Sequence, residues 1–384
     1  MFFIKFVKAM KAWSYHIPTK VIFGKDCLEK ITDIAESFEP NRIMLVTGTE
    51  SMKKLGITDR IIDYLENYQV VIYDKVEQEP SVSTVEDGIR FLIVEKCDLV
   101  IGLGGGSAID TAKAVSALSK NQGPVDEYLA GNRKIMNKGV PLIAIPTTAG
   151  TGTEVTQYAS IIDERKKRKL SLSHEYIHPS MAIVDPTLTV TMPKFVTATT
   201  GLDALSQCIE AYWSKNHVPI SDVFSLNGID LIFKNLVKAF NFPQNMEFRE
   251  KMALASLFSG IAISIAKTTI VHSVSYPLTV HFNAPHGLAC ALTLPSFMRY
   301  NSEVAKDRIN NIARTIGAET VERCIKKVEE LISSLKVPRK LGDVGVQRKD
   351  IELIVREGFR PDRAGNNPRR VTKEDLRAIL EDLL

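Results

Sequence analysis

The chain has few cysteines and no arrangement of them that suggests a cross-link or a cysteine-built metal site. Cys27, Cys97, Cys208, Cys290 and Cys324 are odd in number and include no C-x-x-C pair. That argues against a disulfide framework and a cysteine-based zinc site, and suits a reducing cytoplasm. No apolar run reaches the roughly 18–20 residues of a membrane helix, so no membrane partner is expected. Charge of one sign is not in surplus: 49 Lys and Arg stand against 45 Asp and Glu, a net +4. Scattered, nearly balanced charge offers nucleic acid no electrostatic footprint. The exception is the run Arg165–Lys169, which reads for the most part as a solvated hairpin tip. Repeats and low-complexity segments are absent. The opening MFFIKFVKAMKAW is apolar but interrupted by lysines and lacks a small-residue cleavage site. It is not read as a signal peptide, and Met10 stands as an alternative start.

At 384 residues the chain is long for one hydrophobic core, so two domains are expected. Over residues 14–188, compact apolar runs alternate with amphipathic stretches. The runs are Arg42–Val46, Val70–Tyr73, Asp98–Leu103 and Pro141–Ile145; Thr84–Lys96 and Ser107–Ser119 carry helical spacing. Continuous apolar runs suit parallel strands buried on both faces, and the alternation predicts a doubly wound α/β domain. After Val184-Asp185-Pro186 the β-like runs vanish. From Lys194 onward nearly every segment is helical, including Asp350–Arg356 and Thr372–Leu384, the latter opened by a Thr372/Asp375 capping arrangement. The boundary is placed near 188: an α/β dinucleotide-binding domain over 1–188 and an all-helical domain over 189–384.

The most informative stretch is Ile101-Gly102-Leu103-Gly104-Gly105-Gly106-Ser107-Ala108-Ile109-Asp110. A buried strand runs through three glycines directly into a helix. Such a turn lets backbone approach an anion, and the first helical N–H groups then bind phosphate. Gly104, Gly105, Gly106, Ser107 and Asp110 are therefore candidate cofactor residues. A second loop after a buried strand, Ile145 to Glu154, offers Thr147 and Thr148 to the same crevice. In the helical half, Asp203 and Gln207 are four apart and share a helix face. The Asp203 carboxylate with the imidazoles of His272 and His286 suggests an open site for one divalent metal, Fe2+ or Zn2+.

The ordered motifs GGGSAIDTAK, IPTTAGTGTE, AIVDPTLT, GLDALSQCIEAYWS, the His272 region and APHGLACALTLP resemble those of the iron-containing (group III) alcohol dehydrogenases, across essentially the whole chain. The resemblance implies a dinucleotide-binding α/β domain followed by a helical metal-binding domain, the fold shared with dehydroquinate synthases. It implies hydride transfer between NAD(P)(H) and a small alcohol or aldehyde, in a homo-oligomer, with dimer as the expected form. It puts Asp203, His272 and His286 on ligand positions and Lys169 near the nicotinamide ribose. Two positions depart from the family. Gln207 stands where a further His ligand is common; it either coordinates weakly through its amide oxygen or holds a metal-bound water. Tyr276 stands where another His is common; it either donates a proton or lines the pocket. Gln207, Trp213 and Ser275–Thr279 resemble the branch containing phosphonoacetaldehyde reductases, which implies a small anionic aldehyde as substrate. At the end of the first core strand, Gly48 replaces an Asp common in NAD-preferring members, and Thr49, Ser51 and Lys53 offer donors to a 2′-phosphate. NADP(H) is thus the expected preference, with NAD(H) accepted; Glu50 counts against it. Two other readings stay open: a nucleotide-binding sensor or scaffold without catalysis, and a lyase of the dehydroquinate synthase type.

Overall fold

The computed structural model describes residues 12–384. The reading of the leader and most of its bearing on Met10 fall on residues 1–11, outside the described residues. Strands β1 (Lys20–Phe23), β2 (Arg42–Gly48), β3 (Gln69–Val76), β4 (Leu99–Gly104), β5 (Leu142–Pro146) and β8 (Met181–Val184) form one parallel sheet in the order β1–β8–β5–β4–β2–β3. Between β5 and β8 the chain inserts an antiparallel hairpin, β6 (Tyr158–Asp163) and β7 (Arg168–Ser173). Alternation along each central strand feeds two cores. Met44, Val46, Val100 and Leu142 pack to one face, while Ile43, Leu45, Leu99 and Ile143 pack to the other. Every residue of β4 and β5 is buried, as their apolar runs require.

One strand departs from expectation. The Val70–Tyr73 run was expected to be buried on both faces, but β3 is the sheet edge and Ile72 is 38% exposed. Its apolar composition serves one packed face and one partly wet one, which composition alone does not separate. The charge run behaves as its pattern predicts. Arg165–Arg168 is exposed around the hairpin turn, whereas Lys169 is buried at the start of β7.

The chain leaves β2 for β3 on one side and returns to β4 on the other, a reversal that opens a crevice at the carboxyl ends of β2 and β4. Thr47 is in register with Leu103, so Gly48 and Gly104 end adjacent strands at that crevice.

The helical half gathers around one core. Its central helix, Lys194–Trp213, is buried at every residue from Gly201 to Trp213. A helix buried on all sides has no solvent face, so its polar side chains Asp203, Gln207 and Glu210 must find partners inside. Helices Pro219–Asn241, Met246–Ala266, Ile270–Phe282 and His286–Ser302 surround it. The terminal helix Lys373–Asp382 carries the expected capping box: Thr372 Oγ1 accepts from Asp375 N at 3.1 Å, and Asp375 Oδ2 accepts from Thr372 N at 2.9 Å. The threonine-rich loop after β5 docks on this half. At Gly152, φ is +59° and a Cβ would lie 2.5 Å from Gly260 Cα on the Met246–Ala266 helix. The sheet's carboxyl edge therefore faces the helices, and a cavity of about 660 Å³ runs between them.

Candidate active site

At one end of the cavity, β4 passes through Gly104–Gly106 into the helix Gly106–Leu118. Gly104 has φ +144°, and a Cβ there would meet Ala108 Cβ at 2.9 Å, so the turn needs glycine twice over. Helix N-terminal N–H groups with no acid in the first turn suit an anion. The two predicted loops meet: Thr147 N donates to Gly104 O at 2.9 Å, and Thr148 packs on Gly105. Ser107 Oγ accepts from Glu79 N at 3.1 Å. Asp110 lines the cavity, but its two oxygens accept from Thr153 Oγ1 at 2.5 Å and Ser160 N at 2.8 Å. It ties the helix to the second loop and the hairpin. Gly48 is half-buried and Thr49 exposed at the tip of β2, and the Glu50 carboxylate pairs with Lys54.

At the other end three helices bring Asp203, His272 and His286 together. Asp203 Oδ1 lies 3.4 Å from His272 Nε2 and 3.8 Å from His286 Nε2. Glu210 orients the first imidazole. It sits two turns after Asp203 on the same helix face, where Glu210 Oε1 accepts from Thr269 N at 2.9 Å and Val271 N at 3.0 Å, capping the start of Ile270–Phe282. Its other oxygen binds His272 Nδ1, which places the proton on Nδ1 and leaves the Nε2 lone pair facing Asp203. Ser275 does the same for His286. Its hydroxyl donates to His272 O at 2.8 Å, so at 3.1 Å it accepts from His286 Nδ1.

Asp203 Oδ1 and His272 Nε2 are thereby buried without a hydrogen-bond partner. Such orphans are costly unless something else binds them. Donor atoms about 2.0–2.1 Å from a tetrahedral ion stand ~3.3–3.4 Å apart, close to the separations found here. The electrostatics agree. Burial opposes charge on His272, yet Cys290, Glu210 and Asp203 hold its proton well above the ordinary imidazole range. His286 is pushed well below that range by burial, then by Lys169, His272 and Arg363. Cys290 and the two carboxylates thus favour positive charge at this spot, and a divalent metal meets that demand with both imidazoles neutral. Gln207 borders the cavity one turn from Asp203, and its Oε1 accepts from Ser259 Oγ at 2.8 Å.

Beside the cluster, Tyr276 lies with its ring centroid 5.9 Å from that of His286, and its hydroxyl accepts from Arg363 Nη2 at 2.7 Å. Lys169 Nζ stands 5.6 Å from the Tyr276 ring and pairs with Glu79. Lys169 and Tyr276 are therefore neighbours in the same cavity. Burial raises the phenol, but Arg363, Lys169 and Arg360 outweigh it and lower its proton affinity. Sequence reasoning missed Glu210, Cys290 and Arg363. The first two carried a signal: Glu210 shares a helix face with Asp203, and Cys290 follows His286 by one turn.

The comparisons with known proteins agree along the whole chain. Residues 18–186 match the family model for iron-containing alcohol dehydrogenase, and residues 197–384 match the C-terminal model of the same family. Alcohol dehydrogenase 4 of Saccharomyces cerevisiae is 34% identical over 373 residues, covering 96% of this chain and 97% of its own. The NAD-dependent methanol dehydrogenase of Bacillus methanolicus is 30% identical over 381 residues, covering 97% and 100%. The crystal structure of sulfoacetaldehyde reductase from Bifidobacterium kashiwanohense in complex with NAD+ aligns with a TM-score of 0.92 at 34% identity, covering 97% of this chain and 99% of that one. These relatives favour neither an inactive scaffold nor a lyase. With both halves of the family matched and a metal-competent cluster in the same cavity as a glycine-rich strand-to-helix turn, this chain belongs to the iron-containing alcohol dehydrogenases, as an oxidoreductase that moves a hydride between a nicotinamide dinucleotide and a small alcohol or aldehyde.

Proposed function

We propose that this enzyme reduces a small aldehyde bearing an anionic group, and that it prefers NADP(H) while accepting NAD(H). One observation carries the substrate reading. Arg363 reaches into the cavity beside the metal-binding cluster, where its guanidinium donates to two neutral hydroxyls, of Tyr276 and Thr268, and makes no ion pair among the described residues. Lys169 and Arg360 border the same cavity. A guanidinium with neutral partners only suits a bidentate anion such as a phosphonate or sulfonate. The sulfoacetaldehyde reductase among the structural relatives supports the same class.

The parts divide as follows. When bound, the metal supplies Lewis-acid polarisation of the carbonyl oxygen and the nicotinamide supplies the hydride. Asp203, His272 and His286 would hold the metal, with Glu210 and Ser275 fixing the two ring orientations. Tyr276 Oη accepts from Arg363, which leaves its own proton free to point into the cavity. We assign it the delivery of that proton to the nascent alkoxide. Gly104–Ser107 cradle the pyrophosphate, with Thr147, Thr148 and Asp110 shaping that crevice, and Gly48 with Thr49 borders the adenosine end. Five buried cysteines, all free, support a reducing, cytoplasmic setting.

The test is a panel of phosphonoacetaldehyde, sulfoacetaldehyde and propanal assayed with wild type and Arg363→Ala. A charge-assisted hydrogen bond contributes about 1.5–3 kcal/mol, roughly 10- to 150-fold. The variant should lose that much more kcat/KM on the two anionic aldehydes than on propanal, where only the loss of the hydrogen bond to the Tyr276 hydroxyl is felt. A wild type that prefers propanal, or a variant equally impaired on all three, would overturn the reading.

A further inference from the structure

We infer that Cys290 is a fourth, thiolate ligand of the metal site, replacing on another helix the donor missing at Gln207. The inference rests on the family reading that a divalent metal binds at Asp203, His272 and His286. Cys290 Sγ and one ligand atom from each of those three residues all lie within 4.8 Å of one another. Cys290 lies one turn after His286 on the helix His286–Ser302, so both side chains leave the same face. The thiol is wholly buried. It shares this cluster with the two residues that carry buried atoms without a hydrogen-bond partner, Asp203 (Oδ1) and His272 (Nε2), exposed by only 2% and 4%.

Placement separates Cys290 from Gln207. Asp203, Gln207, His272 and His286 all border the cavity, whereas Cys290 does not. A ligand on the closed side completes the protein's grip without occupying the side open to substrate. Gln207, by contrast, borders the open side, and its amide oxygen is already engaged by Ser259. Two imidazoles, one carboxylate and one thiolate balance the charge of a divalent ion, the thiol losing its proton to solvent as the metal binds. A sulfur donor also shifts selectivity. Thiolate favours zinc over harder ions, so this site should take Zn2+ in preference to Mn2+ or Mg2+ and should hold Fe2+ less tightly than Zn2+.

Cobalt makes the ligand visible. Full-length protein stripped of metal and titrated with Co2+ should develop a near-ultraviolet thiolate-to-cobalt charge-transfer band that saturates at one ion per chain. Cys290→Ser should lose the band, while Cys208→Ser, altering a thiol packed against Gly228, should keep it. Zinc affinity of Cys290→Ser, measured against a chromophoric chelator, should fall by more than the roughly 10- to 100-fold typical of losing an outer hydrogen-bond partner. Bound zinc should also protect Cys290 of the wild type from alkylation under mildly unfolding conditions, a readout that needs no variant. Cobalt binding without the band, or an unchanged zinc affinity in Cys290→Ser, overturns the inference and leaves the three-residue site standing. No cobalt or zinc binding at all overturns both.

Discussion

Gly48→Asp should turn the enzyme away from NADPH. The substitution is sterically open: Gly48 does not have a positive φ, and a Cβ there would make only an ordinary contact with Val76 O at 3.6 Å. The new carboxylate would stand at the tip of β2, beside the strand end that carries Gly104, where the adenosine end of the cofactor is proposed to lie. A carboxylate ~4 Å from a 2′-phosphate costs about 1 kcal/mol in bulk water and about 4 kcal/mol at the effective dielectric of a protein surface. At 1.4 kcal/mol per decade, that is roughly 5- to 700-fold. Gly48 is only half-buried and the neighbourhood is screened, so the lower part of that range, about tenfold, is expected. The same carboxylate can accept hydrogen bonds from the two ribose hydroxyls of NADH, so NADH should hold or improve. The assay is kcat/KM for NADPH and NADH with one aldehyde, in both forms. A wild type that favours NADH tenfold or more, or a variant with an unchanged ratio, would refute the reasoning.

Four further substitutions address the metal cluster. His272→Ala and His286→Ala should each remove both the bound ion, measured by elemental analysis, and turnover; either variant retaining full turnover in chelator-treated buffer would contradict the assignment. Gln207→His should tighten ferrous binding by restoring an imidazole beside Asp203, and an unchanged dissociation constant would place residue 207 outside the coordination sphere. Glu210→Gln should weaken metal binding by roughly 10- to 100-fold, because the amide fixes the His272 tautomer less firmly; no change in affinity would show that the Glu210–His272 contact is only structural.

How much of this was legible in the sequence follows from how local each feature is. The glycine turn is a strand, three glycines and a helix in direct succession, so the residue order alone carries its geometry, and the structure places that turn at the switch point of the sheet. Asp203, His272 and His286 meet only because three helices pack together. Spacing suggested that they could form a site, but it took the resemblance to assign them as ligands. Glu210 and Cys290 each lie on the helix face of a residue already singled out, yet helical phase alone does not separate a partner from a core side chain. Cysteine was discounted as a metal donor for want of a C-x-x-C pair, a criterion blind to a single thiol brought in by packing. Arg363 is beyond reach from the sequence, because its role depends on the chain's return from the far end of the helical half to Tyr276. Lys169 shows a related limit: nothing in the run of five basic residues itself marks the one whose side chain turns inward to Glu79, and only the resemblance singled it out.

Hydride transfer in this enzyme should depend on one divalent ion held by Asp203, His272 and His286. Protein purified without oxygen, stripped with chelator and then reloaded with Zn2+ or Fe2+ tests it directly, with metal content and aldehyde-dependent NADPH oxidation followed on the same samples. One ion per chain is expected at full loading, with turnover that vanishes on stripping and recovers in proportion to the metal restored. Undiminished turnover in protein shown to hold no metal would contradict it.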